Sequence, residues 1–227
     1  MNRFGGMDGV HLGDLNQLER IKMVSKEFTR YTTISKYTAA VLVVLFLKNN
    51  DWHVLLTVRS ANLSKHAGEV AFPGGKQDSA DFSIKETALR EANEEVNLKS
   101  DDVEIVGCFE PIVTRFGMEV HPVIGFVKSS DNIQRLIPNE DEVASIFSVP
   151  LRQFLFSERL SVKNFTLNGY PYAILEFELD SDSVSGITAL VLVRTAQVLF
   201  DQSPTFYYRY PTDYSKYFQS LSSQNKL

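Results

Sequence analysis

The feature that most constrains the fold is a Pro-Gly-Gly break followed by a helix-forming run, in the second quarter of the chain. Pro73, Gly74 and Gly75 predict irregular backbone, because proline lacks an N–H donor and glycine adds conformational freedom. The run from Ile84 to Val96 is rich in Ala, Leu, Glu and Arg and contains neither Gly nor Pro, so it predicts a helix. The fold must therefore accommodate a glycine loop just before this helix.

The predicted helix carries three glutamates on one face. Glu91, Glu94 and Glu95 are three and four residues apart, and residues at that spacing are neighbours on a helix. Like charges so placed repel by about 0.2–0.5 kcal/mol per pair. A hard cation such as Mg²⁺ or Mn²⁺ would stabilise them, because it takes oxygen ligands. A solvated acidic face is the alternative. The preceding glycines favour the cation, because backbone without a Cβ can approach a metal or a phosphate closely.

The rest of the sequence predicts more strands than helices, without regular alternation of the two. Strands are expected at 39–47, 52–58, 103–113, 120–127, 145–151 and 171–179, and residues 157–165 are interpreted as a connection. A first helix capped by Asp14 would place Leu15, Leu18, Ile21 and Phe28 on one face. The prediction is an α+β fold in which a mixed sheet has a helix on either face.

Composition limits the classes of partner. The formal net charge is −5, so we expect no nucleic-acid partner. The longest apolar run, at 39–47, is shorter than the roughly 18 residues of a membrane span, so we expect none. Cys108 is the single cysteine, which excludes an intramolecular disulfide and a cysteine-based zinc site and fits a reducing intracellular compartment.

The segment FPGGKQDSADFSIKETALREANEEVNL, residues 72–98, resembles the Nudix box, a loop–helix–loop that binds metal and hydrolyses nucleoside diphosphates linked to another moiety. Its Arg-Glu-x-x-Glu-Glu core lies at 90–95. Asp81 stands where the general pattern has Glu, Asn97 stands where Gly usually follows the helix, and the loop after Gly75 is one residue longer than in the common box. Asn is the next-best residue for a left-handed helix end, and the longer loop is also found in the coenzyme A-hydrolysing subgroup of this family.

The resemblance implies an αβα sandwich in a single domain. It divides the chain into an N-terminal helical extension at 1–35, a Nudix domain at 36–200 and a C-terminal tail at 201–227. It also implies that 186–200, ambiguous by pattern alone, is the second major helix, because Gly-Ile-Thr-Ala at its start is similar to the opening of that helix in the family.

A second motif, LLTVRSANLSKHAGEVAFPGG at 55–75, resembles the signature of the coenzyme A-hydrolysing subgroup, with Ser64 in place of an Arg. The resemblance implies that Arg59, Lys65, His66 and Gly74 bind substrate. The three cationic or titratable side chains would meet the 3′-phosphate of coenzyme A, since a guanidinium fork suits a phosphate. Solvated loop charges are the alternative interpretation of Arg59 and Lys65.

For the metal site, the resemblance implies Glu91 and Glu95 as principal ligands of Mg²⁺ or Mn²⁺. Glu94 would be a third or water-mediated ligand, and the Gly75 carbonyl a further one. Arg90 is expected to fix the loop on the helix by pairing with Asp81, which is a structural role.

The three glutamates and a general base are the candidate catalytic groups. Glu142 is the base candidate, with a plain surface charge as the equal alternative, and His66 and His121 are weaker candidates.

The implied function is a metal-dependent diphosphatase that cleaves coenzyme A and its derivatives to 3′,5′-ADP and (acyl-)phosphopantetheine. A hydrolase of ADP-ribose or another nucleoside diphosphate derivative, and a non-catalytic nucleotide-binding module, are the alternatives. The partner is a small-molecule substrate. The last residues, Asn225-Lys226-Leu227, are similar to the peroxisomal targeting signal Ser-Lys-Leu. A peroxisomal import receptor is therefore an expected partner. The expected location is the peroxisome, and the cytoplasm is the alternative.

Overall fold

The computed structural model describes residues 12–26, 37–114, 117–167 and 170–208. The strands are β1 (Tyr37–Lys48), β2 (Asp51–Arg59), β3 (Val70–Ala71), β4 (Gly74–Lys76), β5 (Val103–Cys108), β6 (Ile112–Val113), β7 (Met118–Val127), β8 (Val143–Pro150), β9 (Leu160–Leu167), β10 (Tyr170–Glu178) and β11 (Ser183–Ser185). The helices are α1 (Leu12–Lys26), α2 (Ile84–Val96), α3 (Ser130–Gln134) and α4 (Gly186–Phe200), with 3₁₀ turns at Ser100–Asp102 and Leu151–Leu155.

The strand β1 lies at the centre of the main sheet and explains its mixed character. It pairs in parallel with β7 and antiparallel with β2 and β4. The β2 strand also pairs with β3 and β8, while β7 also pairs with β5 and β6. The β9, β10 and β11 strands form a separate three-stranded sheet. A central strand buried on both faces accounts for the continuous apolar run of β1.

Helices cover both faces of the main sheet. Alternate residues of β1, from Ala40 to Phe46, pack with Ala88, Ala92 and Val96 of α2 in one apolar cluster. The residues between them, such as Val43, join a larger cluster that includes α1 and α4 on the opposite face. This is the predicted α+β arrangement of a mixed sheet between helices, and it is confirmed.

Both long predicted helices after the first strands are confirmed, since α2 and α4 have the expected bounds. Four details of the sequence interpretation were wrong. Gly74 and Gly75 form a short strand, because β1 supplies the backbone partner. The segment at 157–165, expected to connect strands, contains β9, which pairs with β10. Residues 103–113 form two strands interrupted before Ile112. Asp14 lies in the first turn of α1 rather than before it, where its charge still favours the helix start.

The α1 helix shares the core of the domain that follows it. Leu18 and Ile21 are buried, and the Arg20 guanidinium donates a hydrogen bond to the Leu199 carbonyl at the end of α4. Phe28 lies outside the described residues. Within the part of the chain that the structure describes, no helix has the length and apolarity needed to cross a membrane.

Candidate active site

Both ends of α2 are fixed by local hydrogen bonds, and this sets the direction of its glutamates. The Ser83 hydroxyl accepts a hydrogen bond from the Glu86 N–H at 3.3 Å, which caps the first turn. Asn97 ends the helix in the left-handed region at φ 57°, where its N–H donates to carbonyls of the last turn. With its ends so held, α2 directs Glu91 and Glu95 toward the glycine loop.

The two glycines of β4 allow that loop to come close to its neighbours. A Cβ on Gly74 would lie 2.4 Å from the Ala40 carbonyl oxygen of β1. A Cβ on Gly75 would lie 2.5 Å from the Glu91 carboxyl carbon. Both distances are shorter than any side chain tolerates, so glycine is required for the loop to lie against the Glu91 carboxylate.

Arg90 connects the loop to the helix with all five of its N–H donors. Nε and Nη2 bind both oxygens of Asp81 at 3.0 and 2.9 Å, and Nη2 also donates to the Lys76 carbonyl at 3.0 Å. Nη1 donates to Glu91 and Glu94 at 3.0 and 2.9 Å. These bonds hold the pKa of Asp81 well below its usual range and raise that of Arg90. The Arg90–Asp81 pair expected from the sequence is present.

Glu95 is the most deeply buried carboxylate of the site, with its side chain 3% exposed. Its Oε2 accepts a hydrogen bond from the Gly74 N–H at 3.1 Å, and its Oε1 lies 3.6 Å from Nη1 of Arg59. Burial raises the pKa of Glu95 to about 7, while the Gly74 N–H and Arg59 act in the opposite direction. The charges of Glu91 and Glu142 raise this pKa further.

The other two glutamates of the helix differ in exposure. Burial raises the pKa of Glu91, and the neighbouring Arg90 opposes that shift. The Glu94 side chain is 52% exposed and is held by Arg90. The structure therefore brings Glu91 and Glu95 together beside Gly74 and Gly75, whereas Glu94 is linked to Glu91 through the Arg90 guanidinium.

Glu142 borders the same site from the turn that leads into β8. It directly precedes β8, whose first residue, Val143, pairs with Arg59 at the end of β2. The Asn139 N–H donates to the Glu95 carbonyl at 2.9 Å, and the Asn139 carbonyl accepts from the Glu142 N–H at 2.9 Å. Asn139 thus ties this turn to α2. The sequence interpretation did not single out Asn139, and its only local signal is a turn-forming residue three positions before Glu142.

The remaining predicted site residues lie elsewhere. Lys65 and His66 are on the exposed loop between β2 and β3, where His66 contacts Glu69 at 2.9 Å. His121 is on β7 with Nε2 3.4 Å from the buried Glu119 carboxylate, and burial lowers its pKa. The structure therefore joins Arg59 to the carboxylates, and His66 is paired with a loop residue instead.

The site suits a hard cation by its donor chemistry. In the ranges that the structure describes, no three His, Cys, Asp or Glu side chains converge as a formed metal cluster. Arginine and amide hydrogens currently engage the carboxylate oxygens. Glu91 and Glu95, one turn apart and largely buried beside a glycine backbone, still form an oxygen-rich site, and burial raises the pKa of both carboxylates.

Comparison with known proteins places the site within a matching domain. The NUDIX domain model matches residues 36–168. The Mus musculus protein named peroxisomal coenzyme A diphosphatase NUDT7 is 37% identical over 184 residues, which cover 78% of this chain and 77% of that relative. Nudix hydrolase 15, mitochondrial, of Arabidopsis thaliana is 37% identical over 193 residues, with coverage of 83% and 66%. The uncharacterized Nudix hydrolase NudL of Yersinia enterocolitica is 39% identical over 163 residues, with coverage of 72% and 82%.

Proposed function

The chain belongs to the Nudix family and is a hydrolase of diphosphate bonds, and on that premise we propose that it cleaves coenzyme A and its derivatives. The observation that carries the proposal is the position of Glu91 and Glu95 beside Gly75, with the Arg59 guanidinium adjoining Glu95. That combination offers oxygen ligands for a cation and a fork for phosphate oxygens. The motif at 55–75 and the name of the mouse relative support coenzyme A as the substrate class.

The reaction adds one water across the P–O–P bridge. The water oxygen bonds to one phosphorus, the bridging oxygen leaves with the other phosphate, and a base accepts the proton that the water loses. Cleavage of coenzyme A in this way gives 3′,5′-ADP and phosphopantetheine, and an acylated substrate gives the acyl-phosphopantetheine.

We assign the metal ligands to Glu91, Glu95 and the Gly75 carbonyl, with Glu94 as a third or water-mediated ligand. A bound Mg²⁺ or Mn²⁺ supplies a Lewis acid that lowers the pKa of water and offsets charge on phosphoryl oxygens. Arg90 keeps Glu91 in place through the Nη1 contact at 3.0 Å and holds the loop through Asp81.

Glu142 is the proposed base. Its carboxylate is close enough for its charge to act on both Glu91 and Glu95, so it borders the site where the water would be held. A positioned base contributes about 10²–10⁴-fold to rate. A surface charge without a catalytic role is the alternative, and Glu142→Gln distinguishes the two by its effect on kcat.

A second substrate class has its own supporting observation. Arg59 forms an ion pair with Glu95 and His66 contacts Glu69, so both side chains that the motif assigns to the 3′-phosphate already have an acidic partner. This favours ADP-ribose or another nucleoside diphosphate derivative, which lacks that phosphate. A nucleotide-binding module without turnover would retain the same contacts.

A substrate panel tests the function. Coenzyme A, an acyl-coenzyme A, 3′-dephospho-coenzyme A and ADP-ribose are each incubated with Mg²⁺ or Mn²⁺, and the released products are separated and identified. We expect 3′,5′-ADP and phosphopantetheine, with kcat/KM highest for a coenzyme A substrate. A higher kcat/KM on ADP-ribose would replace the proposal by the second class, and no turnover of any compound would favour the binding module.

The mouse relative's name includes a peroxisomal location, and we propose the same location for this chain. Asn225-Lys226-Leu227 lies outside the described residues, and its recognition by an import receptor stays a prediction. The full chain, fused at its N-terminus to a fluorescent protein, is expected to coincide with a peroxisomal marker. A diffuse cytosolic signal would contradict the proposal.

A further inference from the structure

The backbone N–H and carbonyl of Arg59 both form hydrogen bonds, whereas its side chain forms few contacts. Its N–H donates to the Glu69 carbonyl at 3.0 Å, and its carbonyl accepts from the Gly68 N–H at 3.1 Å. The pairing of β2 with β8 shifts register between Val58 and Arg59, which ends the regular strand at this residue. The side chain is 25% exposed, so it lies at the wall of the site and still reaches solvent.

The guanidinium of Arg59 uses few of its donors. Its contact with Glu95 is 3.6 Å, which is an ion pair but longer than an N–H···O hydrogen bond of about 2.7–3.2 Å. Its Nε is one of only three buried side-chain nitrogen or oxygen atoms without a partner in the described part of the chain. Arg90, by contrast, uses five donors. Arg59 therefore has unused hydrogen-bonding capacity next to the carboxylates.

Glu95 contacts Arg59 through one oxygen, and its other oxygen accepts the Gly74 N–H. A buried carboxylate needs a positive neighbour, yet a divalent ion meets that need as well as a guanidinium. A guanidinium fork, in turn, is better matched by two oxygens of a phosphate than by one distant carboxylate oxygen. A divalent ion would therefore bind Glu95, and a phosphate would bind Arg59, more strongly than Glu95 and Arg59 bind each other.

We propose that Arg59 exchanges partners during the catalytic cycle: it neutralises Glu95 while no divalent ion is bound, and it binds the substrate diphosphate once an ion has taken Glu95. The proposal deepens the function above and rests on it only in requiring a diphosphate ligand. It moves Arg59 from the 3′-phosphate, where the sequence resemblance placed it, to the reacting group. It makes Arg59 a competitor of the metal and a ligand of the substrate.

These two roles predict effects of opposite sign when the charge is removed. In Arg59→Met the competing cation is gone, so Mn²⁺ should bind the ligand-free protein more tightly, by about 5-fold or more for loss of one nearby charge. At saturating Mn²⁺, a non-hydrolysable diphosphate analogue should bind more weakly, by about 10-fold or more for loss of charge-assisted hydrogen bonds. A residue that only supports the fold would weaken both.

The experiment measures these two constants on the full chain. Free Mn²⁺ is followed by electron paramagnetic resonance without nucleotide, and α,β-methylene-ADP binding is followed by calorimetry at saturating Mn²⁺. Arg159→Met is the matched control, because Arg159 forms an exposed ion pair with Asp180, between β10 and β11 of the small sheet, rather than with Glu91 or Glu95. This variant should change neither constant. Arg59→Lys keeps the charge but loses the fork, so it should leave Mn²⁺ binding near wild type and weaken the analogue.

Unchanged or weaker Mn²⁺ binding by Arg59→Met would overturn the proposal, and so would unchanged analogue binding by either Arg59 variant. These outcomes are separate from those of the substrate panel. Opposite shifts of the two constants without coenzyme A turnover would keep the exchange and reject the substrate. Coenzyme A turnover without opposite shifts of the two constants would keep the substrate and reject the exchange of partners by Arg59.

Discussion

At the scale of single residues, Glu95 is the most deeply buried carboxylate of the site and burial raises its pKa to about 7, and this makes Glu95→Gln informative. The amide keeps the size of the side chain and can still accept the Gly74 N–H, but it removes a charged ligand. We expect kcat/KM to fall by about 100-fold or more, since even outer-shell changes at metal sites cost about 10–100-fold. The free energy of unfolding of the metal-free protein, measured in urea, should stay level or rise.

Glu104→Gln is the matched control for this prediction, because Glu104 is a half-exposed glutamate that pairs with Lys128 outside the site and should lose little activity. Near-wild-type turnover of Glu95→Gln at saturating metal would reject Glu95 as a ligand.

Arg59 distinguishes the two ends of the substrate. The sequence resemblance predicts that Arg59→Ala raises KM for coenzyme A more than for 3′-dephospho-coenzyme A. The position of the guanidinium beside Glu95 predicts instead a similar rise on both, by about 10-fold or more, because both carry the diphosphate. Steady-state kinetics on the two substrates measures the difference. A rise in KM for coenzyme A alone would instead indicate that Arg59 binds the 3′-phosphate.

His53 on β2 links stability to pH. Burial, together with the charge of Lys48, lowers its pKa, and its Nδ1 is buried without a hydrogen-bond partner. Below about pH 6.5 the unfolded chain binds a proton that folded His53 resists, so this residue removes stability as pH falls. His53→Leu should therefore gain free energy of unfolding relative to wild type as pH falls from about 7.5 to 5. Urea titrations at several pH values measure this gain, and a difference between the two proteins that stays constant with pH would contradict it.

At the scale of elements, β4 can contact α2 closely because residue 75 is a glycine, which has no side chain. Gly75→Ala places a Cβ 2.5 Å from the Glu91 carboxyl carbon, and the free end of Glu91 has to move away. We expect kcat/KM to fall by about 100-fold, as a displacement of about 1 Å can cost this much, while circular dichroism remains that of a folded protein. Gly13→Ala is the control, since its Cβ would meet nothing within 4 Å. Full activity of Gly75→Ala would mean that Glu91 need not occupy its observed position.

The same elements show why some of the fold can be predicted from sequence. The signals for α2 are local, because Ser83 and Asn97 cap the helix that they bound. The β4 and β9 strands have no such signal. Gly75 becomes a strand residue through its pairing with Ala40, and Val162 through its pairing with Leu175. Their hydrogen bonds come from segments distant in the chain, so propensity and periodicity could not identify them.

At the scale of the whole molecule, the sequence predicts the carboxylate cluster of the candidate site but not the residues that contact it from other parts of the chain. Glu91 and Glu95 follow from helical spacing and the motif that contains them. The contact of Arg59 with Glu95 and the hydrogen bond from the Asn139 N–H to the Glu95 carbonyl both join α2 to segments distant in the chain. Tertiary pairing therefore decides which basic residue meets the carboxylates.

The position of α1 leads to a prediction about the cooperativity of the whole chain. The division expected from the sequence treats residues 1–35 as an extension, yet Ile21 is fully buried in the core cluster that contains α4. Trp52, the single tryptophan, donates its indole N–H to Gln17 of α1, so its fluorescence reports the docking of this helix. If α1 and the domain share one core, they should unfold together in one transition.

Ile21→Ala tests this arrangement, because it removes buried methyl groups from the contact between α1 and the rest of the core. Such a substitution costs about 2–5 kcal/mol in free energy of unfolding. We expect that loss in guanidinium titrations, with tryptophan fluorescence and circular dichroism showing coincident transitions. Met23→Ala, at an exposed position of the same helix, should change the free energy little. A fluorescence change that precedes the main transition, with no loss in the latter, would instead make α1 an independent extension, because the main core would then be stable without it.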